Sequence, residues 1–398
     1  MNFYKLKYLF LIIISASHLK SNAFDIIREL DIGARASATY DSNLFGVSEN
    51  VFNKAGSTNS EVESRDDFIL NFSPSVHFSK KVYLLNISGS AGVSLTRYIK
   101  NEDKSFIVPL TTLSLDFDES LKKRLSTNAK IRFDATFDLG QHIDTSIADQ
   151  DLVSYTYFTT NINLRYNHST KFGLGAGTSY SFKDYQSIAI NSYSDLTTLP
   201  IYLRAFYIYS EKLDVFTDYS TTFSISDSSS TNAADSISHA ISLGLNGEYS
   251  SKLSGKIGLG YSWIDYDMSN LKSTSNLISS LDLSWKHNSK TTSTYFINRQ
   301  FSPTAQGTST FSTNLGTRIN HKLTDRMRGN ANLSYSNIEY TNTDDENSHL
   351  DQIGLGVGLD FNWTDNIIVG TSYNLSLIDF VAENYDRHTF EIYASGRF

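Results

Sequence analysis

Near the C-terminal end the chain reads Ile353-Gly354-Leu355-Gly356-Val357-Gly358-Leu359-Asp360-Phe361-Asn362-Trp363. Every second residue is apolar and every residue between is glycine, acid or amide. Successive side chains of a strand point to opposite faces, so this is one apolar face and one polar face of a β-strand. The same phase recurs upstream. Between Arg124 and Asp138, Leu125, Thr127, Ala129, Ile131, Phe133, Ala135 and Phe137 alternate with Ser126, Asn128, Lys130, Arg132 and Asp134. Between Lys171 and Lys183, Phe172, Leu174, Ala176, Tyr180 and Phe182 alternate with Gly173, Gly175, Gly177, Ser179 and Ser181.

Outward from these segments the rhythm covers the chain from about Leu30 to the terminus. Strands are expected near 30–40, 66–78, 82–98, 105–118, 124–138, 152–166, 171–185, 196–209 and 213–225, then near 236–249, 253–267, 275–286, 291–301, 309–321, 327–340, 349–363, 367–378 and 388–398. That makes about 18, an even number as bacterial barrels require. Short breaks such as Ser79-Lys80-Lys81, His168-Ser169-Thr170, Glu211-Lys212 and Ser250-Ser251 alternate with longer ones, 41–65, 139–151, 186–195, 226–235 and 379–387 among them. Short periplasmic turns and longer outer loops give that contrast. Pro109 and Pro200 fall inside expected strands and predict bulges or strand starts near a rim. Loop 41–65 is the best candidate for folding inward, and none is long enough for an obvious plug.

Composition agrees. The 398-residue chain has a mean hydropathy of −0.28, yet 24 Tyr and 25 Phe. A barrel wall that meets lipid on one face and water on the other keeps average hydropathy low. Tyr40, Tyr98, Tyr185, Tyr209, Tyr219, Tyr249, Tyr266, Tyr340 and Trp363 stand at strand ends, where aromatic girdles are expected at the membrane–water boundary. The first 23 residues read as a signal peptide: Lys5 and Lys7, an apolar run from Tyr8 to Ile14 too short to span a bilayer, and small residues at Ser21 and Ala23. Residues 24–398 then form a single domain. The fold class is all-β: a transmembrane antiparallel up-and-down β-barrel in the bacterial outer membrane, with both termini periplasmic.

There is no cysteine, which excludes disulfides, thiolate metal sites and an N-terminal lipidated cysteine. The formal charge of −8 becomes more negative when Lys5, Lys7 and Lys20 leave with the signal, and it disfavours nucleic acid as a partner. Phase places Arg35, Lys130, Arg132, Asp134, Arg165, Lys183, Arg204 and Asp218 on the lumen side, along with Lys256, Asp282, Lys286, Arg318, Arg328, Asp360, Glu391 and Arg397. Charges are costly against lipid, and an 18-stranded interior is too wide for side chains to fill, so these residues are expected to line a pore. Lumen-phase Tyr157, Asn161, Asn163, Asn314, Asn330, Asn332 and Tyr393 supply hydroxyls, amides and ring faces of the kind that suit a passing sugar, as well as any other polar cargo.

The nine histidines show no metal spacing, and no Gly-x-Ser-x-Gly elbow occurs. His142 stands close to Asp144 in an expected loop, where solvation accounts for the pair. The chain therefore does not read as an enzyme, and no metal or cofactor is implied. The acidic run Asp344-Asp345-Glu346 reads as a solvated loop. The last strand ends on Phe398, which resembles the terminal aromatic signal read by the barrel-assembly machinery, although Gly396 stands where a larger residue is usual.

The first strand ends in Ala38-Thr39-Tyr40-Asp41-Ser42-Asn43-Leu44-Phe45. This segment resembles the opening of an outer-membrane β-barrel porin family that includes EpsL-type exopolysaccharide-biosynthesis proteins. The resemblance implies one barrel over the mature chain and a role in export or surface assembly of exopolysaccharide. Its expected partners are outer-membrane lipid and lipopolysaccharide, polysaccharide and periplasmic export components. Read from the residues alone, Asp41, Ser42 and Asn43 are a turn cluster that caps a strand rim. A general or sugar-selective diffusion porin is the alternative, with a barrel hydrolase or an adhesin behind it.

Overall fold

The computed structural model describes residues 30–46, 48–49, 64–118, 130–144, 153–185, 195–227, 234–268, 271–303, 309–340, 349–380 and 383–398. The expected signal peptide, the acidic run 344–346 and residues 124–129 of the fifth expected strand lie outside them.

Eighteen strands follow one another: β1 (Leu30–Asp41), β2 (Asp67–Val82), β3 (Leu85–Tyr98), β4 (Phe106–Asp118), β5 (Lys130–Asp144), β6 (Val153–Asn167), β7 (Phe172–Tyr185), β8 (Asp195–Ser210) and β9 (Leu213–Asp227). The second half comprises β10 (Ser236–Glu248), β11 (Leu253–Tyr266), β12 (Thr274–Lys286), β13 (Thr291–Pro303), β14 (Ser309–Lys322), β15 (Met327–Tyr340), β16 (His349–Asn362), β17 (Ile367–Phe380) and β18 (Glu383–Arg397). Each pairs antiparallel with its sequence neighbours, and β1 also pairs with β18, so the sheet closes. The seam ends on two backbone bonds, Ile32 N–H to Phe398 O at 2.7 Å and Phe398 N–H to Ile32 O at 2.8 Å. Eighteen strands spaced about 4.8 Å apart and tilted by about 40° make a cylinder roughly 35 Å across.

Alternation decides which face meets lipid. Ile32, Leu174, Leu203, Leu243, Leu259 and Leu277 are each 57–68 % exposed, although they are large and apolar. In register, Leu243 lies opposite Leu259, and Leu203 opposite Tyr219. These residues form an outward belt that only lipid can cover. Trp285 and Trp363 stand outward at the periplasmic end of their strands.

Several local readings change. Lys80 and Lys81 belong to β2, paired with Ile87 and Asn86, and the turn falls at Tyr83 and Leu84, with Tyr83 at φ 62°. β5 runs to Asp144, into the loop expected from 139. β18 starts at Glu383, so the outer loop expected at 379–387 is almost all strand. Among the described residues the one irregular register lies between Ile208 and Ser210, not at a proline. Pro109 instead stands just beyond the last β4–β5 pair, Leu110 with Gly140. Pro200 falls in a gap of the β7–β8 ladder, between the pairs Thr178–Ile201 and Ser181–Thr198. A ring nitrogen without hydrogen cannot donate to either neighbour, and ending or skipping the ladder needs no extra residue. Gly255 has φ +148°, and a Cβ there would stand 1.8 Å from the Asp282 carbonyl oxygen, so β11 and β12 approach this closely because residue 255 is glycine.

The girdle assignment also divides. Tyr40, Tyr209, Tyr219 and Trp363 share the lipid-facing phase, whereas Tyr98, Tyr185, Tyr266 and Tyr340 stand on the inward phase at the extracellular strand ends. At Tyr98 the residues after β1 supply the packing, through Leu44 and Phe45.

Candidate functional site

The lumen has three zones along its axis. Its middle wall is built from small polar residues. On β15–β18 the inward positions carry Asn332, Ser334, Gln352, Asn374, Ser376 and Thr389, with Arg387 above them, around a groove of about 330 Å³. Glycine makes the groove: a Cβ at Gly356 would sit 2.3 Å from Asn332 Oδ1 and 2.5 Å from Asn374 Oδ1. The flat Gly354-Gly356-Gly358 face thus lets amides on the flanking strands converge. Their mutual hydrogen bonds are long, 3.4 Å for Gln352 Nε2 to Ser376 Oγ and 3.4 Å for Asn374 Nδ2 to Thr389 Oγ1. Weakly engaged donors are free to turn to a ligand. On β2 and β3, Asn71 Nδ2 donates to Ser94 Oγ at 2.7 Å and Thr96 Oγ1 at 2.9 Å, and Ser73 Oγ donates to Asn71 Oδ1 at 2.7 Å.

The charged residues fall on the face opposite the lipid belt and are mostly matched. Arg165 pairs with Asp214 at 2.7 Å and lies 4.2 Å over the Phe206 ring. Arg204 binds Asp218 and lies 4.5 Å over Phe216, with Lys256 5.2 Å from the same ring. Phe216, inward and only 1 % exposed, is an apolar residue sheathed by cations. Across the lumen Arg35 pairs with Glu391 at 2.8 Å and stacks 3.8 Å over Tyr393, whose hydroxyl binds Asp360. Arg397 meets Asp31 at 2.7 Å, and Lys183 lies 4.7 Å from the Tyr155 ring. Asp282, Lys286, Arg318 and Arg328 are exposed on the same face. The backbone of Lys130, Arg132 and Asp134 falls in the inward register of β5, opposite Asn167, Arg165 and Asn163. Their side chains, with those of His142 and Asp144, lie outside the described residues. Periodicity brought none of these ion pairs together, because it ranks faces but not neighbours across strands.

The extracellular end buries both apolar and polar side chains inside. Tyr98, Val108, Tyr155, Tyr185, Leu196 and Ile264 are inward-facing, within about three residues of that end, and at most 9 % exposed. The segment after β1 explains part of this burial. Leu44 and Phe45, 5 % and 4 % exposed, pack with Tyr98 against Ile69 and Phe106, so the chain turns into the mouth. These residues begin the loop expected to fold inward, of which 47 and 50–63 lie outside the described residues. Asp41, 2 % exposed, accepts from Arg387 Nη2 at 2.5 Å and from the Asn43 backbone N–H at 3.0 Å. Ser42 extends the β1–β18 seam through Ser42 N–H to His388 O at 3.0 Å, and Ser42 Oγ accepts the His388 N–H at 2.8 Å. Beside it Asp67 accepts from the backbone N–H groups of Ile99, Lys100 and Asn101, all at 2.9 Å, pinning the β3–β4 turn. Lys100 Nζ bonds both oxygens of Asp66 at 2.7 Å, and with Ser64 this holds the Asp66 carboxyl below its ordinary range. Arg387 escaped sequence reasoning because its stretch read as loop.

The sequence matches the family described as "Putative beta-barrel porin 2" over residues 51–397. The chain belongs to that family. The porin lies in the bacterial outer membrane. The matched region begins after the Tyr40–Phe45 segment, so it does not reach the residues that resemble EpsL-type proteins. No curated protein sequence matches the chain.

Among solved structures the porin resembles the outer membrane protein OpdK of Pseudomonas aeruginosa, with TM-score 0.48 and 10 % identity over 93 % of this chain and 99 % of that one. The FrpB iron transporter of Neisseria meningitidis gives TM-score 0.46 and 12 % identity over 90 % of this chain, which spans 64 % of the transporter. A bacterial polysaccharide outer membrane secretin gives TM-score 0.38 and 11 % identity over 92 % and 98 % of the two chains.

Proposed function

We propose that this porin is a conduit for export or surface assembly of exopolysaccharide. The observation that carries the reading is the amide- and hydroxyl-lined groove of β15–β18, where Asn332, Gln352 and Asn374 converge over a glycine floor. A sugar offers hydroxyls that both donate and accept, and side-chain amides do the same from a fixed planar head. The Tyr40–Phe45 segment, through its resemblance to EpsL-type proteins, supports the same cargo. Phe398 serves as the assembly signal.

Deletion of the gene tests this reading. Surface polysaccharide should fall while uptake of small solutes stays unchanged. An Asn332→Leu/Asn374→Leu double variant that assembles normally should reproduce the loss. Unchanged polysaccharide with impaired solute uptake would instead establish a diffusion porin.

A further inference from the structure

Six of the short turns on the side where β18 ends are built by one device. A Ser, Thr or Asn at the first turn position accepts the backbone N–H of the residue two places on, at five turns also that of the third. Ser169, Ser210, Ser250, Asn288, Thr324 and Thr364 do this at 2.8–3.3 Å. Such side-chain-closed turns are rigid and place their third residue reproducibly. At five of the six that residue is a cation: Lys171, Lys212, Lys252, Lys290 and Arg326, all exposed. The sixth is Asn366. These five come from successive hairpins between β6 and β15, so they stand about 12 Å apart around a little under half of the rim.

Lys212 is paired with Glu248 at 2.6 Å. Lys252 donates to the His287 carbonyl at 3.3 Å, and Lys171 lies 5.8 Å from the Tyr207 ring. Neither Lys290 nor Arg326 makes an ion-pair contact among the described residues, although Lys290 stands near enough to Asp325 to help, after Lys322, to hold its carboxyl below the ordinary range. The same turns carry carboxylates at Glu211, Asp325 and Asp365, and Asp325 is engaged by Lys322 at 2.7 Å. Charge continues inward at Lys286 and Arg328, exposed on the lumen face, against Asp282 deeper in.

We infer that the periplasmic mouth is a cationic crown that captures an acidic polysaccharide, one bearing carboxylates along its chain. The inference rests on the proposed polysaccharide cargo and adds the sign of its charge. A row of fixed, spaced, exposed cations attracts a polyanion through many weak contacts that release counterions, and it offers nothing comparable to a neutral polymer. Phospholipid phosphate is the rival anion. It is disfavoured by position, because the outward Trp285, Trp363 and Tyr209 mark the membrane boundary and the cations lie on the turns beyond them.

The test is binding of polygalacturonate and of dextran of equal length to the full mature porin in a zwitterionic detergent, over a series of salt concentrations. Polygalacturonate should bind at least tenfold tighter than dextran at low salt and lose that margin as salt rises. A fivefold variant, K171Q/K212Q/K252Q/K290Q/R326Q, should lower its affinity at least tenfold and flatten the salt dependence, with the heat-modifiable barrel intact. Equal binding of both polymers, or an unaltered salt slope in the variant, overturns the crown. So does a variant whose polymer binding persists while its insertion into anionic vesicles fails, the result expected for lipid anchors. The proposed cargo fails separately, when gene deletion leaves surface polysaccharide unchanged.

Discussion

Leu259 and Ser280 offer a decisive pair for the phase on which the lumen depends. Leu259 is at the middle of β11, 68 % exposed, opposite the equally outward Leu243. Ser280, on the neighbouring strand β12, stands on the other face opposite Gly258. Arginine at the lipid-facing midplane of a barrel costs about 2–4 kcal/mol, whereas a lumen position is wet and should cost under about 1 kcal/mol. Leu259→Arg should therefore shift the folding equilibrium by a factor of about 30 to 800, and Ser280→Arg by less than about fivefold. Reversible urea unfolding in phospholipid vesicles reads both numbers. If Leu259→Arg costs no more than Ser280→Arg, the two faces do not differ in solvent. The lumen assignment would then be wrong for this wall.

Removing the mouth anchor has a local signature. Asp41→Asn leaves Arg387 without its carboxylate, a loss of about 2–3 kcal/mol discounted for the partial exposure of Arg387. Hydrogen exchange at the Leu44 amide, bonded to Arg65 O at 2.8 Å, should accelerate about 30- to 150-fold, and unchanged protection would refute the anchor. The Asp66 carboxyl, held down chiefly by Lys100, should titrate below its ordinary value of 3.8. Its contact then persists from neutral pH down past that value and is lost as pH falls through the folded-state value. Carbon-detected NMR should find the midpoint moving upward in Lys100→Met; a static midpoint excludes the pairing. Phe398→Ala keeps both backbone bonds of the seam but removes the terminal ring. The yield of heat-modifiable barrel in cells should drop severalfold, while refolding of the purified chain into detergent changes little. Equal losses in both would make the residue structural rather than a recognition signal.

What was legible follows from how strongly each feature is over-determined. A one-residue slip would put Leu355, Val357 and Leu359 into the lumen, so alternation fixes the phase of a whole strand. Strand ends carry no such constraint. Lys80 and Lys81 read as a turn because they are charged, yet the lipid-facing row Phe72, Val76 and Phe78 sets the β2–β3 register, and the turn falls on apolar Tyr83 and Leu84. Tyr98, Tyr185, Tyr266 and Tyr340 read as girdle because an interfacial ring and a ring turned into the mouth leave the same residue at the same place in a strand. The groove was half visible: Asn332 and the Gly354–Gly358 row stood out. Gln352, Asn374 and Arg387 become neighbours only through pairing across strands.

The two ends of the lumen set different requirements on a cargo. Withdrawing Leu44 and Phe45 from the mouth exposes two large apolar side chains, a cost of about 3–6 kcal/mol before the Asp41–Arg387 contact is counted. A small hydrated solute makes no contact that could offset this. A polymer threaded from the groove, on the proposed reading, would place a sugar ring face against Tyr98, which the displaced segment uncovers, and replace apolar packing with apolar packing. On the proposed carbohydrate reading, a long polymer would offset the displacement of Leu44 and Phe45, while a small solute would leave them in place. This coupling requires conductance of the resting porin to be low and to rise in Asp41→Asn without added polymer. A wild-type pore already conducting at the variant's level would show that the apolar layer is no barrier.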